Sequence, residues 1–207
     1  MQELWEFIKK LTDPESILQY GGLALLLIVI FAETGLLIGF FLPGDSLVFI
    51  SGLFCSVKPQ YLSHTPFFLL FLYMTTAAVV GNFFGYFFGL KSGEKLFTKD
   101  DNLIFKKRYL ISTKDFYDKH GSKALIIGRF FPIIRTFAPI LAGAIKLPLK
   151  KFAFLNVVGA IAWMGSICGA GYFLGEKYPE TEKHLGKIIT VMLIFTTLPI
   201  LIRLRKK

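Results

Sequence analysis

The chain alternates between long apolar runs and short polar intervals. Residues 67–90 and 152–175 are each 24 residues without a formal charge, long enough as helices to span the ~30 Å hydrocarbon core of a bilayer. A third apolar stretch, 17–57, is too long for one span and is interrupted by Glu33 and then by Pro43-Gly44-Asp45. A Pro-Gly pair ends a helix. This stretch therefore predicts a helix, a turn within the membrane depth, and a shorter helix from Ser46 to about Val57. Periodicity leaves open whether 17–40 crosses fully. Residues 124–145 follow the same grammar, with Pro132 and Pro139 as breaks. Irregular backbone at membrane depth is tolerated only where protein or water covers it, so both broken stretches predict re-entrant hairpins. Residues 188–202 predict a last, short span.

The polar intervals carry their own signals. Residues 1–16 predict an amphipathic helix lying in the membrane interface, with Leu4, Trp5, Phe7, Ile8 and Leu11 as its apolar members. Thr12-Asp13-Pro14-Glu15 reads as the start of the next helix, with a capping residue, proline in the first turn and an acid to close a capping box. Acids interrupt the first twenty residues and no small-residue cleavage site follows, so this start does not read as a signal peptide. In the linker 91–123, Ser112-Thr113-Lys114-Asp115 predicts a further helix start.

The chain also repeats itself. GFFLPGDSLVFISG (39–52) is similar to GRFFPIIRTFAPILAG (128–143), and GYFFG (85–89) is similar to GYFLG (171–175). The span 67–90 between the two broken stretches places them on opposite sides of the membrane. The predicted architecture is an all-α polytopic membrane protein. It is an inverted repeat with two facing re-entrant helical hairpins and transmembrane helices around them, the plan in which broken helices meet at a midplane site. Repeat one runs over about 17–90, a basic linker over 91–123, repeat two over about 124–175, and one membrane domain covers 17–207.

Composition agrees with the pattern. The chain has 207 residues, 54% hydrophobic and 16% aromatic, above the usual soluble range for the first. Its net charge of +10 is concentrated by position, which sets it apart from a nucleic-acid-binding surface. Residues 91–123 hold nine Lys/Arg against five Asp/Glu, and the chain closes with RLRKK. The positive-inside rule puts both on the cytoplasmic side. The linkers 56–66 and 176–187 lack such an excess and read as the outer side. Cys55 and Cys168 stand apart in apolar runs and fit no zinc pattern, and nothing in the sequence calls for a cofactor.

Four charges lie in apolar context: Glu33, Asp45, Arg129 and Arg135. Each costs about 2.5 to 3.5 kcal/mol at a helix centre on translocon scales. Two acids in one repeat and two arginines in the other can neutralise one another. That either pins the hairpins structurally or builds an ion site. A guanidinium fork matches phosphate oxygens bidentately, and helix starts after Pro43-Gly44 or Pro132 add N–H donors. The pattern thus predicts an anionic-headgroup site at Arg129 and Arg135, with Glu33 and Asp45 as ion-pairing or proton-coupling groups. Asn82 and Asn156 are polar inside full spans and are candidate cavity-lining residues or interhelical hydrogen-bond partners. Tyr86 and Trp163 are candidates for the same cavity, with packing as the plainer role. The three histidines lie in linkers, and no Ser-His or Cys-His arrangement lies in a span, so the chain is not expected to be an enzyme such as a lipid phosphatase.

Residues Arg129, Phe130, Pro132, Arg135, Pro139, Ala142-Gly143, Phe152, Asn156, Gly159 and Trp163 together resemble the second-half signature of the DedA family of membrane proteins (the VTT domain). Glu33, Gly35 and Pro43-Gly44-Asp45 are similar to its first-half signature, and Gly85-Tyr86 with Gly89 to its Gly-Tyr-x-x-Gly. The resemblance covers about residues 20–177. It departs at Asn82, where the family often has Asp, and at Leu147, where it often has Met. The resemblance implies a bacterial inner-membrane transporter that moves undecaprenyl phosphate, or in relatives phospholipid, in a way tied to the proton gradient. It implies roles for Glu33, Asp45, Arg129 and Arg135. The partners expected are membrane lipids, polyprenyl phosphate and protons, with no nucleic acid; a homo-oligomer is compatible with the sequence. The rival readings are a proton or small-cation antiporter using the same charges and a structural or tethering protein.

Overall fold

A computed structural model describes residues 14–36, 44–92 and 107–184. All regular structure among them is helical. Helix α1 is Pro14–Gly35, α2 is Gly44–Val57, α3 is Phe67–Ser92, α4 is Lys107–His120, α5 is Ala124–Ile127, α6 is Pro132–Ala144 and α7 is Leu149–Lys177. The expected interfacial helix before Pro14, Pro43 with the turn around it, and the last span at 188–202 lie outside the described residues.

Helices α1, α3 and α7 are long and apolar enough to cross a membrane. Their lipid-facing character shows in exposed large apolar groups such as Phe68, Phe84, Phe154 and Phe173. Helices α2 and α6 have 14 and 13 residues and extend about 20 Å at 1.5 Å per residue, short of the hydrocarbon thickness. They are covered by protein instead. Every residue of α6 from Ile134 to Ala144 is buried.

Two compact units are built from these helices, and the long helices contribute to both. One unit takes Met1–Leu26, Pro43–Phe71 and Gly165–Lys207; the other takes Leu27–Leu42 and Leu72–Met164. In the first unit, α2 lies directly on the last part of α7. A Cβ on Gly52 would strike the Cys168 carbonyl, and one on Gly171 would strike the Phe49 carbonyl, so the two backbones touch where side chains are missing. Helix α1 turns a corner in this unit at Gly22, whose φ of 54° and ψ of −148° are open essentially only to glycine.

The second unit has the same internal plan. Helix α6 lies on the last part of α3, where a Cβ on Gly143 would meet the Tyr86 carbonyl and one on Gly89 the Ile140 carbonyl. The end of α1 crosses α3 at Gly35 and Gly81, again backbone on backbone. A core of Tyr86, Leu125, Ile134, Ala138, Ala142, Leu147, Phe152 and Leu155 fills the space around α6. Helix α4 packs against α6. It turns Phe116 and Tyr117 toward that packing and exposes Lys114, Asp115, Asp118 and Lys119.

Two expectations are corrected here. Ser112-Thr113-Lys114-Asp115 does not start a helix, because α4 already begins at Lys107. Thr113 is buried at 1% exposure, and the apolar face of α4 against α6 outweighs the local capping preference. Pro139 does not break its segment either. It sits inside α6, and the loss of one backbone hydrogen bond is tolerated in a helix walled in by its neighbours, with the Pro139 Cβ against Gly85. The break falls at Phe131-Pro132. Phe131 is extended, with φ −116° and ψ 112°, as the residue before a proline prefers, and Pro132 opens α6, where a missing N–H costs nothing.

Candidate functional site

That break positions both arginines. Gly128–Phe130 forms a 3-10 turn carrying Arg129, and Arg135 lies in the first turn of α6, its N–H donating to the Phe131 carbonyl at 2.8 Å. The two side chains are 2% and 4% exposed. They line a common cavity with Asn82, Ala138, Pro139, Phe152 and Asn156. Its volume is about 10 Å³, space for about one water.

The two guanidinium groups are held differently. Arg135 Nη2 pairs with Glu33 Oε1, and both partners are buried. The arginine also lies 4.5 Å from the centre of the fully buried Trp163 ring, a cation–π contact that is stronger out of water. Arg129 is held by neutral acceptors. Its Nη2 donates to the Asn156 carbonyl at 2.9 Å and also to Asn156 Oδ1. Asn156 is in turn fixed by its Nδ2, which donates to the Val79 carbonyl at 3.1 Å. The Asn82 amide sits between Arg129, Asn156 and the Thr34 carbonyl. With its oxygen toward Arg129 it accepts from Nη2 and donates to the Thr34 carbonyl at 3.0 Å. Reversed, it donates to Asn156 Oδ1 at 2.9 Å, but its oxygen then faces only acceptors. The first arrangement, assigned from this hydrogen-bond pattern, gives both ends of the amide a partner. Among the described residues, Arg129 Nε and Nη1 are buried without a hydrogen-bond partner.

The expected site residues therefore separate. Glu33, Arg135, Arg129, Asn82, Asn156 and Trp163 come together in one unit. Tyr86 is beside them as a packing group: its hydroxyl donates to the Leu147 carbonyl at 2.6 Å and its ring stacks on Phe152 at 4.5 Å. Pro132 opens α6 and Pro139 lies inside it. Gly44 and Asp45 open α2 in the other unit, with Asp45 in its first turn. Two contributors carried no assigned role in the sequence. The Thr34 carbonyl anchors Asn82, and Gly159 makes room for Arg129, since a Cβ there would come within 2.7 Å of Nε. Gly159 follows Asn156 by one helical turn, on the same face. That spacing is the signal which points to it.

Residues 42–173 match the VTT domain. Protein DedA of Escherichia coli is 39% identical over 187 residues, covering 89% of this chain and 84% of that protein. An uncharacterized membrane protein of Mycobacterium leprae is 36% identical over 189 residues, 91% and 82% of the two chains. Inner membrane protein YghB of Escherichia coli is 30% identical over 165 residues, 80% and 73%. No solved structure matches the chain. With a VTT match over more than half its length and a buried arginine pair at the residues that carry the resemblance, this membrane protein belongs to the DedA family.

Proposed function

We propose that the chain is a carrier for a lipid phosphate headgroup across the bacterial inner membrane, undecaprenyl phosphate first and phospholipid second. The observation that carries this reading is the pair of buried arginines on one cavity. Among the described residues the buried charged side chains are Glu33, Arg129 and Arg135, so the buried charge sums to one net positive. A site of that sign attracts an anion and opposes a cation, which weighs against the small-cation antiporter. The headgroup pairs with Arg129 and Arg135 through charge-assisted hydrogen bonds while its tail remains in the bilayer. Glu33 is displaced from Arg135 as the phosphate arrives, and its protonation is the step that ties transport to the proton gradient. Asp45 takes the corresponding part in the other broken stretch.

A phosphate does not fit a cavity of about 10 Å³, so the packing around α6 opens before the headgroup enters. The two short helices, each laid on a long helix through glycines, favour re-entrant hairpins related as an inverted repeat and exposed alternately to the two sides. Residues 91–123 and the C-terminal end then face the cytoplasm. The inner-membrane location is supported by the name of the relative YghB.

The test is purified protein in liposomes with undecaprenyl phosphate and a common phospholipid as competitors. The wild type is expected to change headgroup exposure of a labelled lipid phosphate, and Arg129→Ala and Arg135→Ala to abolish it while remaining folded. A wild type that moves neither lipid overturns the reading. Variants that lose folding or partner retention alone point to the structural role.

A further inference from the structure

The two arginines share a cavity but not a chemistry. Arg135 is compensated by a carboxylate. Arg129, equally buried, is held through one nitrogen by two amides and a peptide carbonyl, and its Nε and Nη1 have no hydrogen-bond partner among the described residues. A buried guanidinium normally carries a large desolvation cost and finds an acid. Here the groups that meet it on α3 and α7 are Asn82 and Asn156, close in shape to aspartate and without its charge.

We propose that Asn82 and Asn156 form a neutral clamp. They position Arg129 but leave its charge uncompensated, so that Arg129 supplies the first charge match to an incoming anionic phosphate oxygen, and Arg135 joins only when Glu33 lets go. They are positioning residues that act through Arg129. The inference rests on the reading of the cavity as an anion-carrying site and assigns an order within it. The fixed geometry supports it: Asn156 is tied to α3 through the Val79 carbonyl, and Asn82 to α1 through the Thr34 carbonyl. Both amides are thus held before a ligand arrives, which lowers the ordering cost of binding. A carboxylate at either position has nearly the same shape and accepts the same hydrogen bonds from Arg129, but it gives up the N–H donation to the Thr34 or Val79 carbonyl and cancels the charge.

The substitutions Asn82→Asp and Asn156→Asp therefore weaken phosphate binding through charge, beyond what the lost anchor alone costs. The full chain in detergent is titrated with dodecyl phosphate and, in a separate arm, with inorganic phosphate, reading thermal unfolding and affinity. The wild type is expected to be stabilised by dodecyl phosphate. Each aspartate variant is expected to raise the Kd for the phosphate at least tenfold, whichever way its melting temperature moves. Asn82→Ala, which loosens the clamp without adding charge, is expected to melt lower and to bind with a smaller loss than Asn82→Asp. Stabilisation by inorganic phosphate with the same variant pattern supports the clamp and identifies a free-anion source in place of a lipid headgroup. Equal binding by wild type and both aspartate variants overturns the proposal. So does a loss of binding in Asn82→Ala as large as that in Asn82→Asp, the pattern of a purely structural network, and so does a wild type that neither phosphate stabilises. If one aspartate variant fails to fold, the other decides. Charge-dependent binding with no lipid movement in liposomes would sink the transport reading and leave the clamp standing. Lipid movement unaffected by the aspartate variants would do the reverse.

Discussion

Gly159 shows how little slack surrounds the charged groups. Its missing side chain is the space that Arg129 Nε and Cδ occupy, at 2.7 and 2.9 Å from where a Cβ would stand. Gly159→Ala is expected to push Arg129 off its acceptors. The cost is about 1–3 kcal/mol, as for overpacking elsewhere, with headgroup transport falling by an order of magnitude or more. Thermal unfolding and the liposome assay measure the two effects. At this scale the sequence is informative about which residues matter and less so about how they pair. Four charges in apolar context are conspicuous because each is costly there. Opposite signs predict pairing, yet nothing local says that Glu33 takes Arg135, 102 positions away, and leaves Arg129 to two asparagines. That choice depends on which face of α3 and α7 meets the turn at Gly128–Phe130, and only the packed helices determine it.

At the scale of elements, the two prolines of the second broken stretch have opposite consequences. Pro132 stands where the chain leaves an extended residue and begins α6. Pro132→Ala removes the restriction on Phe131, so the preceding turn is expected to run on into α6 as one helix, moving Arg129 and abolishing transport. Pro139→Ala restores a backbone donor inside a helix that is already continuous. It is expected to keep transport and to raise thermal stability, by up to ~3 kcal/mol if the full interior-proline penalty is relieved. Circular dichroism and the transport assay on the two variants check this directly. The sequence contains both prolines but gives no means of ranking them, because a proline's tolerance inside a helix is set by what walls the helix in. The long spans, by contrast, are plain in the sequence: α3 and α7 extend only a few residues beyond their uncharged runs. The α3 glycines at four-residue spacing also announce the close approach seen at Gly81, Gly85 and Gly89.

For the whole molecule, chain order and compactness differ. A reader of the sequence sees two successive similar segments. The folded chain assembles one unit from its beginning, Pro43–Phe71 and the end of α7, and the other from its middle. Such exchange is invisible to pattern reading, since it depends on contacts between distant segments. The distribution of charge, however, is a whole-chain property that the sequence displays openly, and it leads to a test of orientation. In right-side-out cells, a single cysteine at Lys114, exposed on α4, is expected to resist a membrane-impermeant thiol reagent. One at Gln60, exposed in the 3-10 turn Pro59–Leu62, is expected to react, in a background with Cys55 and Cys168 replaced. Labelling at Lys114 from outside would invert the proposed topology.

The smallness of the cavity beside the arginines has a consequence for the cell's energetics. An open aqueous pore at this place would short-circuit the ion gradients on which a bacterial membrane depends. Space for about one water between Arg129, Arg135 and the walls of α6 makes a poor conductor, and the positive charge held there opposes metal cations. Membranes carrying the wild-type chain are accordingly expected to be as electrically tight as bare lipid, a property that planar-bilayer recordings read directly.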